Sequence, residues 1–118
     1  MDNIQIRVAQ GLGGLHILHL TGPLTLNTIF DFQDTIRSQS ASGLIIVLSG
    51  VPYVDSGGLG AILGAYASCQ RKGLKFALAA VPPRVVTMLQ VARVDALVPR
   101  YDTLDAAEAE LAPKTETA

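Results

Sequence analysis

The 118-residue sequence predicts a single α/β domain, with about four helices packed on a mixed sheet of about five strands. The first observation is an uncharged apolar run, residues 44–48, which does not alternate with polar residues and therefore predicts a strand covered on both faces. The second is a helical pattern over residues 57–71, which has no charge before Arg71. A chain of this length with 49% hydrophobic residues can bury one core.

The N-terminal segment predicts a hairpin. Ile4, Ile6 and Val8 alternate with polar residues, which is the period of a half-exposed strand near a sheet edge. Residues 11–14 form a glycine-rich turn, and residues 15–21 predict a second, more apolar strand.

An amphipathic helix is expected after this hairpin. Gly22-Pro23 ends the second strand, and either Thr25 or Asn27 can cap the helix. The side chains predicted to point inward are Leu26, Ile29, Phe30, Phe32 and Ile36. Since this helix connects the second strand to the run at 44–48, it is predicted to be a crossover between them.

The start of the long helix is marked by residues that favour a helix N-terminus. Asp55 and Ser56 supply side-chain oxygens for the cap, and Gly57 and Gly58 allow a tight turn. The helix is expected to begin near Gly57, with the hydroxyl of Ser56 turned inward as the cap.

The long helix lacks charge on the side that normally meets solvent. Its sheet-facing stripe is predicted to be Leu59, Ile62, Leu63 and Tyr66. Its other side is predicted to consist of small residues, which are Gly60, Ala61, Gly64, Ala65, Ala67 and Ser68. Such a smooth face suits the docking of another protein or close packing within the same chain, and the sequence leaves both interpretations open.

The C-terminal part predicts two more strands and two more helices. Residues 76–81 form a buried run expected to pair parallel to residues 44–48, and residues 97–101 predict a short edge strand because they include a proline. The helix between them is predicted to begin at Pro82-Pro83 and to turn Val85, Met88, Leu89 and Ala92 inward.

A final helix ends the predicted domain. Asp102 or Thr103 is expected to cap it, and its apolar residues are Leu104, Ala107 and Leu111. The domain is predicted to span residues 1–112, and residues 113–118 are expected to form a disordered tail.

Composition excludes several function classes. Nine basic and ten acidic residues are scattered along the chain, so there is no stripe for nucleic acid and no basic membrane anchor. Residues 51–70 are nearly uncharged, but Pro52, Asp55 and four glycines argue against a membrane span. The single cysteine, Cys69, rules out an internal disulfide, and together with an N-terminus unlike a signal peptide it predicts a cytoplasmic protein.

The residues that could carry catalysis are not arranged for it. His16 and His19 fall on opposite faces of a strand, so they cannot hold one metal, and no cofactor motif is present. Residues 54–58 resemble a nucleophile elbow but lack its first glycine, and both histidines precede Ser56. Cys69 lies on the inward side of a helix pattern and is interpreted as a structural thiol. The sequence therefore predicts a protein that is not an enzyme and binds no metal.

Residues 44–81 resemble the signature of the STAS domain, the fold of bacterial anti-sigma factor antagonists. Gly22-Pro23-Leu24 resembles the Gly-x-Leu that ends the second strand in this family, and residues 97–111 resemble its last strand and helix. The resemblance covers about residues 4–111 of the chain. It implies a protein-binding module that regulates transcription by partner switching, in which the module docks an anti-sigma factor and frees the sigma factor.

The resemblance also implies the site. In family antagonists the helix begins Asp-Ser-[Ser/Thr]-Gly, and the partner anti-sigma factor, a serine kinase, phosphorylates the second hydroxyl. Here Gly57 occupies the acceptor position, Ser56 is the only neighbouring hydroxyl, and Thr25 replaces a residue that is commonly acidic. These departures predict weak or absent phosphorylation. The residues expected to contact the partner are Thr25, Asp55, Ser56, Gly57, Gly58, Gly60, Ala61 and Gly64.

A second branch of the family offers an alternative. The STAS subunit of bacterial phospholipid ABC transporters, which docks on an ATPase, also has a hydroxyl residue followed by Gly-Gly-Leu at this place. Residues 97–111 are more similar to the antagonist branch. The expected partner is therefore an anti-sigma factor of the serine kinase type, with an ABC transporter ATPase as the alternative, and a homodimer is left open.

Overall fold

The structure, a computed structural model, describes residues 3–113 and contains five strands and four α-helices within them. The strands are β1 (Gln5–Gln10), β2 (Leu15–Thr21), β3 (Gly43–Gly50), β4 (Lys75–Ala79) and β5 (Arg100–Tyr101). The helices are α1 (Ile29–Arg37), α2 (Ser56–Arg71), α3 (Pro83–Val91) and α4 (Leu104–Leu111). The predicted α/β architecture is confirmed.

The five strands form one mixed sheet in the order β1-β2-β3-β4-β5. β1 pairs antiparallel with β2, and every later neighbour is parallel, so α1, α2 and α3 lie on crossovers between parallel strands. β3 is central, as its unbroken apolar run predicts, because residues 44–48 are buried on both faces of the sheet.

Alternate residues of β3 serve two separate cores. Leu44, Ile46 and Leu48 face the layer formed by α1, α2 and α3, where the largest cluster of buried side chains lies. Ile45 and Val47 face α4 on the other side of the sheet. α4 contacts β3, β4 and β5, so it covers the part of this face that these strands form.

The start of α1 differs from the prediction. The sequence allows a cap at Thr25 or Asn27, but the N-cap residue is Thr28. Thr25 instead heads a turn before the helix, because its carbonyl accepts hydrogen bonds from the N–H groups of Thr28 and Ile29, both at 2.9 Å. The helix therefore begins later than the sequence pattern suggests.

This later start overturns two of the predicted core positions. Leu26 is 64% exposed and Phe30 is 68% exposed, whereas Phe32 is fully buried. Leu26 belongs to the turn, so helical periodicity does not apply to it, and Phe30 lies about 100° around the helix axis from Ile29. Ile29 and Ile36 pack against the core as predicted.

α2 is rotated relative to its predicted orientation. The residues that it buries are Gly58, Ala61, Ile62, Ala65 and Cys69. Leu59, Leu63 and Tyr66, which were predicted to face the sheet, are only partly buried at its flank. The assignment of Ala61 and Ala65 to the outer side is therefore wrong, because small side chains allow α2 to approach the sheet closely.

The remaining elements follow the prediction with shorter ends. α3 buries Val85 and Leu89, whereas Ala92, predicted inward, is its exposed C-cap residue. β5 is confined to Arg100–Tyr101 rather than residues 97–101, and Thr103 caps α4.

Two further expectations concern Cys69 and the C-terminus. Cys69 is 3% exposed, and burial raises the pKa of its thiol, which agrees with a structural role. Of the predicted tail at 113–118, residues 114–118 lie outside the described residues.

The orientation of α2 can be tested by truncating two neighbouring side chains. Ile62 is fully buried, so Ile62→Ala is expected to lower the free energy of unfolding by about 2–5 kcal/mol. Leu63→Ala is the matched control and is expected to cost clearly less, because Leu63 is only partly buried. Urea denaturation measures both, and an equal or larger loss for Leu63→Ala would contradict the orientation.

A histidine on the sheet face that α4 partly covers predicts that stability depends on pH. His19 lies opposite Arg7 there, and burial, followed by the Arg7 charge, holds the pKa of His19 below 6.5. The folded state therefore disfavours the imidazolium. Above about pH 6.5, His19 is neutral in both the folded and the unfolded state, so its titration does not change stability. As the pH falls below that value, the unfolded state binds a proton more readily than the folded state, and the free energy of unfolding decreases.

We expect His19→Gln to reduce the difference between the urea midpoints at about pH 7.5 and pH 5.5, because it removes the titrating group. Arg7→Gln is expected to reduce this difference less, because the Arg7 charge is the smaller cause of the lowered pKa. The opposite order, or no change in either variant, would contradict the assignment.

Candidate functional site

The chain segments that follow β2 and β3 are held side by side by backbone hydrogen bonds. The N–H of Gly22 donates to the carbonyl of Gly50 at 2.9 Å, and the N–H of Leu24 donates to the carbonyl of Tyr53 at 3.2 Å. The N–H of Asp55 then donates to the carbonyl of Leu24 at 3.3 Å. These bonds place the turn before α1 against the first turn of α2.

Asp55 fixes this junction with its side chain. Its Oδ1 accepts a hydrogen bond from the N–H of Gly58 at 2.8 Å, which makes Asp55 the N-cap residue of α2. Its Oδ2 accepts one from the N–H of Leu26 at 3.1 Å. The bonds from Gly58 and then Leu26 lower the pKa of Asp55, because they stabilise the carboxylate.

The prediction that Ser56 caps the helix is therefore wrong. Ser56 is the first residue of α2 and is exposed. The carboxylate of Asp55 takes the capping position because the same side chain also binds the neighbouring turn through Leu26.

The glycines of α2 divide into two kinds. A Cβ on Gly58 would lie 2.0 Å from the carbonyl oxygen of Leu24, so this position admits no side chain without a backbone shift. A Cβ on Gly57 would lie 3.1 Å from the Cα of Leu26, which is tight. Gly60 and Gly64 are different, since a Cβ on either would meet no heavy atom within 4 Å.

A cleft of about 270 Å³ separates α1 from α2. Its lining residues are Phe32, Gln33, Ile36, Arg37, Ala61, Gly64, Ala65 and Ser68. Phe30 precedes Gln33 and Arg37 by three and seven residues, so it lies on the same side of α1 and extends this rim toward the helix N-terminus. Arg37 forms an ion pair with Asp34 on α1.

Exposed apolar side chains continue the cleft toward the start of α2. Leu26 adjoins Gly57 at the start of α2, and Phe30, in the first turn of α1, is also exposed. We define the α1–α2 surface by its residues, which are Leu26, Phe30, Gln33, Arg37, Ser56, Gly57, Gly60, Gly64 and Ser68. Sequence reasoning did not identify Leu26 and Phe30 as surface residues, since their apolar character indicates the core.

The structure brings most of the predicted partner-binding residues together but exposes only some of them. Ser56, Gly60 and Gly64 are exposed, and Asp55 and Gly57 are partly buried. The residues below the surface are Thr25, Gly58 and Ala61.

Thr25 belongs to a buried hydrogen-bond network. It is 4% exposed, and its hydroxyl accepts from the N–H of Asn27 at 3.3 Å. The hydroxyl of Thr28 accepts from the N–H of Thr25 at 2.9 Å and donates to the carbonyl of Pro23 at 2.8 Å. These bonds shape the turn that presents Leu26.

The two histidines lie away from Ser56. Nδ1 of His16 is 2.7 Å from Oε1 of Gln39, near the start of β2, and His19 lies on the α4 side of the sheet. Among residues 3–113, no group of three or more His, Cys, Asp or Glu side chains is placed to hold a metal ion. Within the same residues no helix is both long enough and apolar enough to cross a membrane.

Comparison with known proteins agrees with this architecture. The sequence model of the STAS domain matches residues 3–107, nearly the whole described chain. The chain belongs to the STAS domain family. The anti-sigma F factor antagonist of Paenibacillus polymyxa is 30% identical to this STAS domain over 104 residues, which cover 85% of this chain and 88% of that protein.

Solved structures show the same fold at lower sequence identity. An anti-sigma factor antagonist from Mycobacterium paratuberculosis is 23% identical, with a TM-score of 0.78 over 92% of this STAS domain and 93% of that chain. The Bacillus cell fate determinant SpoIIAA, in its phosphorylated form, is 14% identical, with a TM-score of 0.71 over 90% of this chain and 98% of that chain.

The different environments of the α2 glycines predict opposite effects of one substitution. Gly58→Ala is expected to lower the free energy of unfolding by about 1–3 kcal/mol, because its Cβ would overlap the carbonyl of Leu24. Gly60→Ala is the matched control and is expected to raise it by about 0.5–1 kcal/mol, since alanine favours the helix and the space is open. Urea denaturation gives both values, and a stabilising Gly58→Ala would contradict the geometry.

Proposed function

We propose that this STAS domain is an anti-sigma factor antagonist and that the α1–α2 surface is where it binds an anti-sigma factor. The observation that most directly supports a docking surface here is the exposure of two apolar side chains, Leu26 and Phe30, of which Leu26 adjoins Gly57 at the start of α2. The sequence relationship to the Paenibacillus polymyxa antagonist supports the same function. Binding would occupy the anti-sigma factor and release its sigma factor.

The composition of the surface suits protein docking. Gly60 and Gly64 present bare backbone, so a partner can approach the axis of α2 closely. Leu26 and Phe30 offer the apolar area that anchors an interface, and aromatic anchors commonly contribute more than their neighbours. Asp55 and the threonine network do not face the partner in this proposal; they hold the turn that carries Leu26.

We propose that the partner is an anti-sigma factor of the serine kinase type, and that phosphorylation of this domain is weak or absent. Gly57 occupies the acceptor position and has no hydroxyl. The Cα, Cβ and N atoms of Leu26 lie between 3.1 and 3.2 Å from the position of a Cβ on Gly57, so the space of an acceptor side chain is partly filled.

Ser56 does not replace the missing acceptor in this proposal. Successive residues on an α-helix point about 100° apart, so the Ser56 side chain leaves α2 in another direction from that of residue 57. A kinase active site directed at residue 57 would therefore not reach the Ser56 hydroxyl in the same docking geometry. The domain would act as a constitutive antagonist, regulated through its abundance or through its partner.

Binding rather than catalysis is the proposed activity. The exposed Ser56 hydroxyl has neither histidine in the position of a general base, because His16 and His19 lie elsewhere on the sheet. We propose that the domain works in the bacterial cytoplasm, where sigma factors bind RNA polymerase.

The partner can be identified by affinity capture from native cytosol, followed by mass spectrometry and titration with the purified partner. Phe30→Ala and Gly60→Arg are expected to weaken binding at least tenfold, because they remove an anchor and block the flat surface. Ala109→Arg on α4 is the control for the added charge and is expected to bind normally. Capture of an ABC transporter ATPase would support the alternative branch, and unchanged affinity in both surface variants would exclude this surface.

The phosphorylation proposal is tested separately by intact mass after incubation with the purified partner and ATP. The wild-type domain is expected to keep its mass while binding normally. Gly57→Ser restores the acceptor hydroxyl and reports whether the kinase is active, and Leu26 must shift only slightly to admit its Cβ. A stoichiometric phosphate on the wild type that disappears in Ser56→Ala would show that Ser56 is the acceptor.

A further inference from the structure

β1 is the open edge of the sheet. The other edge strand, β5, has two residues and follows Pro99, which cannot donate a ladder hydrogen bond. β1 has six residues and pairs with β2 on one side only, in an uninterrupted register from Gln5 opposite Thr21 to Gln10 opposite His16. Its outer backbone N–H and C=O groups have no strand beside them within the described residues.

β1 carries few of the features that protect an exposed edge. Proteins usually block such edges with a proline, a lysine, a bulge or a very short strand. β1 contains none of these, and its single charge is Arg7. Val8 is 43% exposed on the face that packs against the helical layer, so the edge also presents an apolar side chain.

We infer that β1 pairs with β1 of a second copy of this chain, antiparallel across a two-fold axis, with Val8 opposite Val8. Opposite residues in an antiparallel pair share a face of the sheet, so a symmetric pairing must centre on one residue. Centring on Arg7 would place two guanidinium groups together. Centring on Ile6 or Ala9 would pair only three residues within the strand.

Centring on Val8 has neither defect. Residues 6–10 of both copies then pair, with Ile6 opposite Gln10 and Arg7 opposite Ala9. The exposed valines meet at the axis, and like charges are not directly opposite. The sheets of the two copies become continuous, and the outward N–H and C=O groups of Ile6, Val8 and Gln10 gain partners.

The inference is independent of the proposed function. No residue of β1 belongs to the α1–α2 surface, so a dimer would present two copies of that surface. Loss of dimerisation should therefore leave the affinity of each surface for the anti-sigma factor unchanged, and loss of anti-sigma binding should leave the dimer intact.

Sedimentation velocity of the full chain over a wide concentration range tests the pairing. The wild type is expected to shift from monomer to dimer with increasing concentration. Val8→Lys should weaken the dimer at least tenfold, because it places two like charges at the axis. Val91→Lys adds the same charge at a 79% exposed valine on α3 and should dimerise like the wild type. Circular dichroism confirms that each variant is folded.

A cysteine variant tests the register without adding charge. In a Cys69→Ala background, Val8→Cys should form a disulfide-linked dimer rapidly under mild oxidation, whereas Val91→Cys should not. A wild type that stays monomeric at every concentration, a dimer that Val8→Lys leaves unchanged, or equal cross-linking of the two cysteine variants would overturn the inference.

Discussion

The close approach of Gly58 to the carbonyl of Leu24 is the contact on which the candidate site depends. It allows the segment after β2 to run beside the start of α2, where Asp55 accepts hydrogen bonds from the N–H groups of both Gly58 and Leu26. A single methyl group on Gly58 would separate these segments. One steric requirement, the absence of a side chain at residue 58, therefore supports the turn that presents Leu26, the cap of α2 and the position of Gly57.

The other glycines of α2 have no such requirement. Gly60 and Gly64 face open space, and each costs the helix roughly 0.5–1 kcal/mol relative to alanine. The fold would be more stable without them, which is typical of positions where function and stability compete. The open space at Gly60 and Gly64 is explained if the backbone of α2 must be approached closely by another protein.

The sheet separates the surfaces that the domain offers to other molecules. One face carries the layer of α1, α2 and α3, and its outer side forms the α1–α2 surface. The opposite face is covered by α4 over only part of its width, and the free edge is β1. No residue of the β1 edge belongs to the α1–α2 surface, so binding at one and binding at the other involve different residues.

The sequence determined the type and order of the helices and strands and the mixed sheet, though not every boundary, because unbroken apolar runs and glycine or proline boundaries act locally. It also predicted a candidate site over residues 55–64. Only the tertiary structure decided which side chains are exposed there. α2 is rotated so that Gly58 lies against Leu24, and Asp55, which caps α2 in place of Ser56, also accepts a hydrogen bond from the N–H of Leu26. These contacts join residues about thirty positions apart, which local periodicity cannot predict.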